Sequence, residues 1–135
     1  MIVIDSNIIA YLMIPSDRTK EIEKLLLKDS EWITPLLWRS EFRNILTLYM
    51  KQSQMSLILA EQTIARAENL LSEREYGFLS SDVLVLTYEK SLSAYDAEYV
   101  VLAINFGVPL ITVDKKLLKE APEYAVSPTK YLNVN

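Results

Sequence analysis

Two short apolar runs rich in β-branched residues stand at opposite ends of this 135-residue chain, and an aspartate closes each. Met1-Ile-Val-Ile4 runs into Asp5, and Pro109-Leu-Ile-Thr-Val113 runs into Asp114. A continuous apolar run, unlike an alternating one, suits a strand covered on both faces. Between the two runs apolar residues recur at helical spacing, and only two Gly and five Pro punctuate the chain, so connections are short. The pattern predicts strands over residues 1–5, 31–35, 109–113 and 124–127. It predicts helices over 6–13, 17–28, 36–50, 55–72, 82–91, 94–106 and 114–120. Residues 73–81 read as a polar connection, and Gly107 as the C-cap of the sixth helix. Strands separated by helices form an α/β fold, a parallel sheet covered on both faces. The length fits one domain over 1–135. In such open sheets ligands bind beyond the carboxyl ends of the strands, where Asp5 and Asp114 fall. They meet if the strands before them are neighbours.

Two further acids interrupt apolar helix faces. At about 100° per residue, Leu37, Leu48, Glu41, Ile45, Trp38, Tyr49 and Phe42 fall in that order across one arc of the third helix. Arg39, Arg43 and Lys51 lie outside it. The same count sets Asp96 between Ala103 and Val100, with Tyr99 and Ile104 flanking, and turns Glu98 and Asn105 to solvent. Each acid has an ordinary reading. Asp5 and Asp114 serve as helix N-caps, and Glu41 and Asp96 as members of buried ion pairs with Arg43 or a lysine. Four together ask for more, because converging carboxylates repel one another and take up protons unless a divalent cation is present.

The chain has no His and no Cys, which removes the commonest general base, the commonest zinc ligand and every thiolate site. Carboxylates, hydroxyls, Lys, Arg and hard cations remain. Mg²⁺ suits oxygen ligands and retains waters, and Mn²⁺ tolerates the same donors. A hydrophobic content of 50% with 24% charged residues excludes disorder. The opening run is too short for a signal peptide and lacks its basic flank. No stretch approaches the roughly 18 apolar residues of a membrane span. A soluble cytoplasmic protein without membrane association is expected. The net charge of −4 argues modestly against non-specific attraction to nucleic acid, since four gathered carboxylates account for an excess of that size.

The residues Asp5-Ser-Asn7 after an N-terminal strand, Glu41 on the third helix, Ser93-Ala-Tyr-Asp96-Ala-Glu-Tyr-Val-Val-Leu-Ala103, and Leu110-Ile-Thr112-Val-Asp114-Lys-Lys-Leu117 resemble the PIN-domain nucleases. Within that family they look like the VapC toxins of toxin–antitoxin pairs. The likeness runs from the first residue to about Leu132. It implies a three-layer α/β/α sandwich with a short, mostly parallel sheet, and Mg²⁺- or Mn²⁺-dependent endoribonuclease activity. It puts the family's acidic quartet on Asp5, Glu41, Asp96 and Asp114 as metal and catalytic residues. Ser6, Asn7 and Thr112 become the polar residues that orient carboxylates or waters. The resemblance further implies an RNA substrate, a homodimer and a cognate antitoxin. On this reading Asp5 and Asp96 hold one or two cations, with Glu41 and Asp114 completing the cluster or taking a proton.

Arg39, Arg43, Lys115 and Lys116 flank the acids and are candidate phosphate contacts, each with a solvated-face or ion-pair alternative. Trp32, Trp38, Tyr95 and Tyr99 are candidate base-stacking groups, although aromatics at helical spacing belong more often to the core. Leu57, Ile58, Ile64, Leu70 and Leu71 offer apolar surface for the expected homodimer. Two other classes compete. A receiver-type phosphotransfer module also sets acids at strand ends, but needs an acidic pair after the first strand, where Asp5 stands alone. A non-catalytic module of the same fold would use the acids for a structural metal or a basic partner.

Overall fold

The opening run forms β1 (Ile2–Ile4), all three residues withdrawn from solvent. Three strands join it in the computed structural model, which describes residues 1–134. They are β2 (Trp32–Ile33), β3 (Leu110–Ile111) and β4 (Ala125–Val126), all parallel in the order β2-β1-β3-β4. β1 and β3 are direct neighbours, with Val3 opposite Leu110 and Ile4 opposite Ile111. The helices are α1 (Ser6–Met13), α2 (Thr19–Lys28), α3 (Trp38–Lys51), α4 (Leu57–Leu70), α5 (Ser80–Glu89), α6 (Ala94–Phe106), α7 (Lys115–Glu120) and α8 (Pro128–Leu132).

Side chains alternate across the pleat, and this divides the core in two. Ile2, Ile4, Trp32 and Ile111 face one way and pack with Ile8 and Ile9 of α1, Ile22 and Leu25 of α2, Trp38, Phe42 and Leu46 of α3, and Ala60 and Ala67 of α4. Val3, Ile33 and Leu110 face the other way, onto Val83 and Leu86 of α5, the stretch from Tyr99 to Ala103 on α6, and Leu117 of α7. The result is the three-layer α/β/α sandwich.

Helix ends follow local chemistry. Ser93 caps α6 by accepting from the Asp96 amide at 3.1 Å, and Gly107 closes that helix at φ 64°, a left-handed conformation that glycine adopts without strain. Asp5 and Asp114 cap α1 and α7. The added element is α8, which sequence periodicity missed because five residues hold too little of a helical period. Its signal was local: Ser127 accepts from the Lys130 amide at 3.2 Å and Pro128 sits in the first turn. α8 docks on α2, where Lys28 Nζ donates to the Tyr131 carbonyl at 2.6 Å.

Three expectations need correction. Residues 73–81 are more than a polar connection: the amide of Thr34 donates to Arg74 O at 3.2 Å and that of Tyr76 to Thr34 O at 3.1 Å, so this segment covers the exposed edge beside β2, and α5 starts at Ser80. Arg39 ties the segment down, paired through Nε with Glu75 at 2.6 Å and also with Glu68 of α4. Second, the solvated face expected of α6 is open at Asn105 but only partly so at Glu98. The helix is buried from Ala97 through Ala103 apart from Glu98, which is itself partly buried. Third, Leu71 is fully buried in the first core, out of reach of any partner.

Candidate active site

Pairing β1 with β3 brings the ends of the two apolar runs together. Asp5 leaves β1 with its amide bonded to Ile111 O at 3.1 Å, and Thr112 leaves β3 beside it. The Thr112 hydroxyl donates to Asp5 Oδ2 at 2.7 Å, while its oxygen accepts the Asp114 amide at 3.0 Å, so one buried threonine sets both strand-end aspartates. Asp5 Oδ1 accepts the Ser6 amide at 2.7 Å, and Asn7 Nδ2 donates to Oδ2 at 3.2 Å. The other end of the Asn7 amide, Oδ1, is buried and has no hydrogen-bond partner among the described residues.

Capping accounts for part of this. Asp114 Oδ1 accepts the amides of Lys116 and Leu117 at 2.8 and 3.1 Å, and Asp5 Oδ1 serves the start of α1. Capping does not account for the electrostatics. Burial pushes the Asp5 carboxyl up to about 6 against the pull of Thr112 and Ser6, and the charges of Glu41 and Asp96 add to the rise. Glu41, from the first turn of α3, is raised by burial, held back by the Tyr99 hydroxyl that donates to it and by the nearby Ser6, and raised further by Asp96 and Asp114. Asp96 is raised by burial and then by Asp114, with Lys116 and Ser93 opposing. Each of the three feels another member of the four, so the ends of β1 and β3, with α3 and α6, bring their acids to one neighbourhood.

Ion pairs do not relieve it. Among the described residues neither Glu41 nor Asp96 is in a salt bridge, Arg43 is exposed, and Arg39 is committed to Glu75 and Glu68. Arg39 is thereby withdrawn from the phosphate-contact candidates. Lys115 and Lys116 stay exposed. Among the described residues no three carboxylates stand close enough to ligate one ion directly. The donor set nonetheless suits a hard cation: carboxylates raised first by burial and then by one another's charge, hydroxyls, and the unsatisfied Asn7 oxygen. An ion that keeps several of its own waters needs only one or two direct carboxylates, and waters reach the others.

Two features escaped the sequence reading. Tyr99, assigned to core packing or base stacking, is fully buried, and its hydroxyl donates to Glu41 Oε1. An apolar helix face hides such a bond from sequence, since nothing in the spacing joins residues 58 positions apart. Glu98 is a fifth acid near the group: burial and then the Glu41 charge raise it.

The comparisons agree with this architecture. The PIN domain family model matches residues 2–123, and the chain belongs to that family. It is similar to Ribonuclease VapC3 of Pyrobaculum aerophilum, 28% identical over 127 residues that cover 90% of this chain and 95% of that protein. The crystal structure of PAE2754 from Pyrobaculum aerophilum superposes with a TM-score of 0.77 at 19% identity, covering 97% of this chain and 92% of that one. A toxin–antitoxin complex from Klebsiella pneumoniae includes a chain that matches with a TM-score of 0.66 at 20% identity, over 95% and 98% of the two chains. The receiver-type reading falls with these matches and with Thr34-Pro35, which brings no acid to the end of β2.

Proposed function

We propose that this protein is a Mg²⁺- or Mn²⁺-dependent endoribonuclease and the toxin of a toxin–antitoxin pair. The observation that carries the reading is a set of four acids in a PIN domain: Asp5 and Asp114 beyond the carboxyl ends of β1 and β3, with Glu41 of α3 and Asp96 of α6 near enough to feel their charge. The name of the related Pyrobaculum ribonuclease supports the activity, and the Klebsiella toxin–antitoxin complex supports an inhibiting partner. Asp5 and Asp96 are the first candidates to hold the ion, with Asp114 and Glu41 around it. A bound divalent ion supplies a more acidic water and neutralises charge on the phosphoryl oxygens.

The chain's own groups do the rest. Thr112 and the Ser6 amide fix the Asp5 carboxylate in one orientation, so it needs no reorganisation during reaction. Glu41, anchored through Oε1 by Tyr99, takes a proton from the attacking water as the water oxygen bonds to phosphorus. A ribose oxygen then leaves and gains a proton from solvent. Lys115 and Lys116, exposed at the start of α7, are the proposed contacts for RNA phosphates. Homodimerisation through the start of α4, where Leu57, Ile58 and Leu59 lie exposed, and a cytoplasmic location complete the proposal. No helix among the described residues is long and apolar enough to cross a membrane.

Purified protein is expected to cut RNA with Mg²⁺ or Mn²⁺, to stop with EDTA, and to lose nearly all activity as Asp5→Ala or Asp96→Ala. Asp82→Ala, exposed on α5, is the control and stays active. Glu98→Ala does not serve as a control, because Glu98 feels the Glu41 charge. Cleavage unchanged by the Asp5 and Asp96 substitutions would trace it to a contaminant. Absence of cleavage and of growth arrest on expression would favour a non-catalytic module of the same fold.

A further inference from the structure

Of the four aromatics flanking the acids, three are consumed by the core: Trp32, Trp38 and Tyr99 are fully buried. Tyr95 is 64% exposed. It sits in the first turn of α6, immediately before Asp96, and lines a cleft of about 400 Å³ with Leu37, Ser40, Glu41, Asn44, Ser93 and Asp96. Glu41 and Asp96 make this cleft continuous with the acidic site. Ser40 and Asn44 are four residues apart on α3, so they project on the same side of that helix.

The lining selects its occupant. It contains no Lys or Arg and two carboxylates, which rules against a phosphate or an acidic peptide in the cleft itself. It does contain an open phenol ring, an aliphatic side chain, and hydroxyl and amide groups able both to donate and to accept. A nucleobase is neutral, flat and rimmed with donors and acceptors, and single-stranded RNA is commonly read by splaying such a base onto an aromatic ring. The volume lies at the lower end of small-ligand sites, about 300–1,000 Å³, which suits one nucleotide rather than a secondary-structure element. We propose that this cleft is a nucleobase pocket, in which Tyr95 stacks an unpaired RNA base next to the scissile phosphate while Asn44 and Ser40 read its edge. The proposal rests on the ribonuclease reading and adds the determinant of base preference.

The test uses the full chain and short fluorescent single-stranded RNAs rich in A, C, G or U. Cleavage kinetics are followed with Mg²⁺ or Mn²⁺, and binding of an oligonucleotide is followed by anisotropy. Tyr95→Ala raises KM and weakens binding roughly 10- to 100-fold, the range found when a stacking aromatic is removed. In this variant kcat stays within about threefold and the melting temperature is unchanged, because the ring is exposed. Tyr95→Trp restores KM. Asn44→Ala reorders the preference among the four RNAs. If Tyr95→Ala keeps wild-type KM, binding and base ranking while Asp5→Ala is inactive, the pocket is refuted, the nuclease stands, and the exposed ring is better read as a protein contact. If wild type neither binds nor cuts any RNA, the pocket and the nuclease reading fall together.

Discussion

Thr112 joins the two halves of the site, since its one hydroxyl donates to Asp5 and accepts from the Asp114 amide. Thr112→Val keeps the shape and removes both bonds, leaving a buried carboxylate with less support. It should lower both stability and activity, measured by thermal denaturation and RNA cleavage. Asp5 itself is a cost to the metal-free fold. Its carboxyl is raised from 3.8 to about 6, so the folded protein binds that proton more tightly than the unfolded chain. Stability without divalent metal therefore declines as pH rises from about 4 to 6, and above 6 the full penalty of about 3 kcal/mol is present. Glu41 and Asp96 shift in the same direction. Denaturation in EDTA should show a lower melting temperature at pH 8 than at pH 5, with Asp5→Asn flattening the difference. A melting temperature in EDTA that climbs from pH 5 to 8 would contradict this picture. All four acids were legible in the sequence as charges out of place, but the Tyr99 bond was not, because it depends on how α3 and α6 dock.

Elements carry the acids, and their end signals decide whether they carry them accurately. Ser93 accepts from the amide of Asp96, so Ser93→Ala removes a cap and a constraint on a proposed metal-binding residue together. A loss of about 1 kcal/mol in urea denaturation, together with reduced cleavage, is expected. A loss of stability without loss of activity would limit Ser93 to a structural role. Most elements could be read from the chain because period and end signals agreed: residues 6–13 and 94–106 form helices as expected, the latter bounded by Ser93 and Gly107. The failures arose where tertiary packing overrode periodicity. α6 is buried through its middle, from Ala97 to Ala103, so the wheel that turned Glu98 and Asn105 to solvent holds at Asn105 and only partly at Glu98. α8 was too short for a period, and the edge formed by residues 73–81 depends on Thr34 and Arg39, far away in sequence.

At the scale of the molecule, two parallel neighbours, β1 and β3, concentrate like charge at one end of the sheet, which the proposed cation would offset. The opposite assignment applies to apolar surface. Leu71 belongs to the core, whereas Leu57 and Ile58 are 65% and 69% exposed at the start of α4. Leu71→Ala should cost about 2–5 kcal/mol. Ile58→Glu should leave the fold intact and convert a dimer to a monomer in light scattering. A wild type that is monomeric at micromolar concentration would remove the dimer from the account. The central claim is that four acids from separate elements form one cation-binding centre. It is tested most directly by titrating wild-type protein, Asp5→Asn and Asp96→Asn with Mn²⁺ and measuring the free ion by electron paramagnetic resonance. The account predicts that wild type takes up Mn²⁺ and that each substitution weakens uptake by ~10-fold or more. Equal uptake by all three proteins, or none by wild type at millimolar ion, would contradict it.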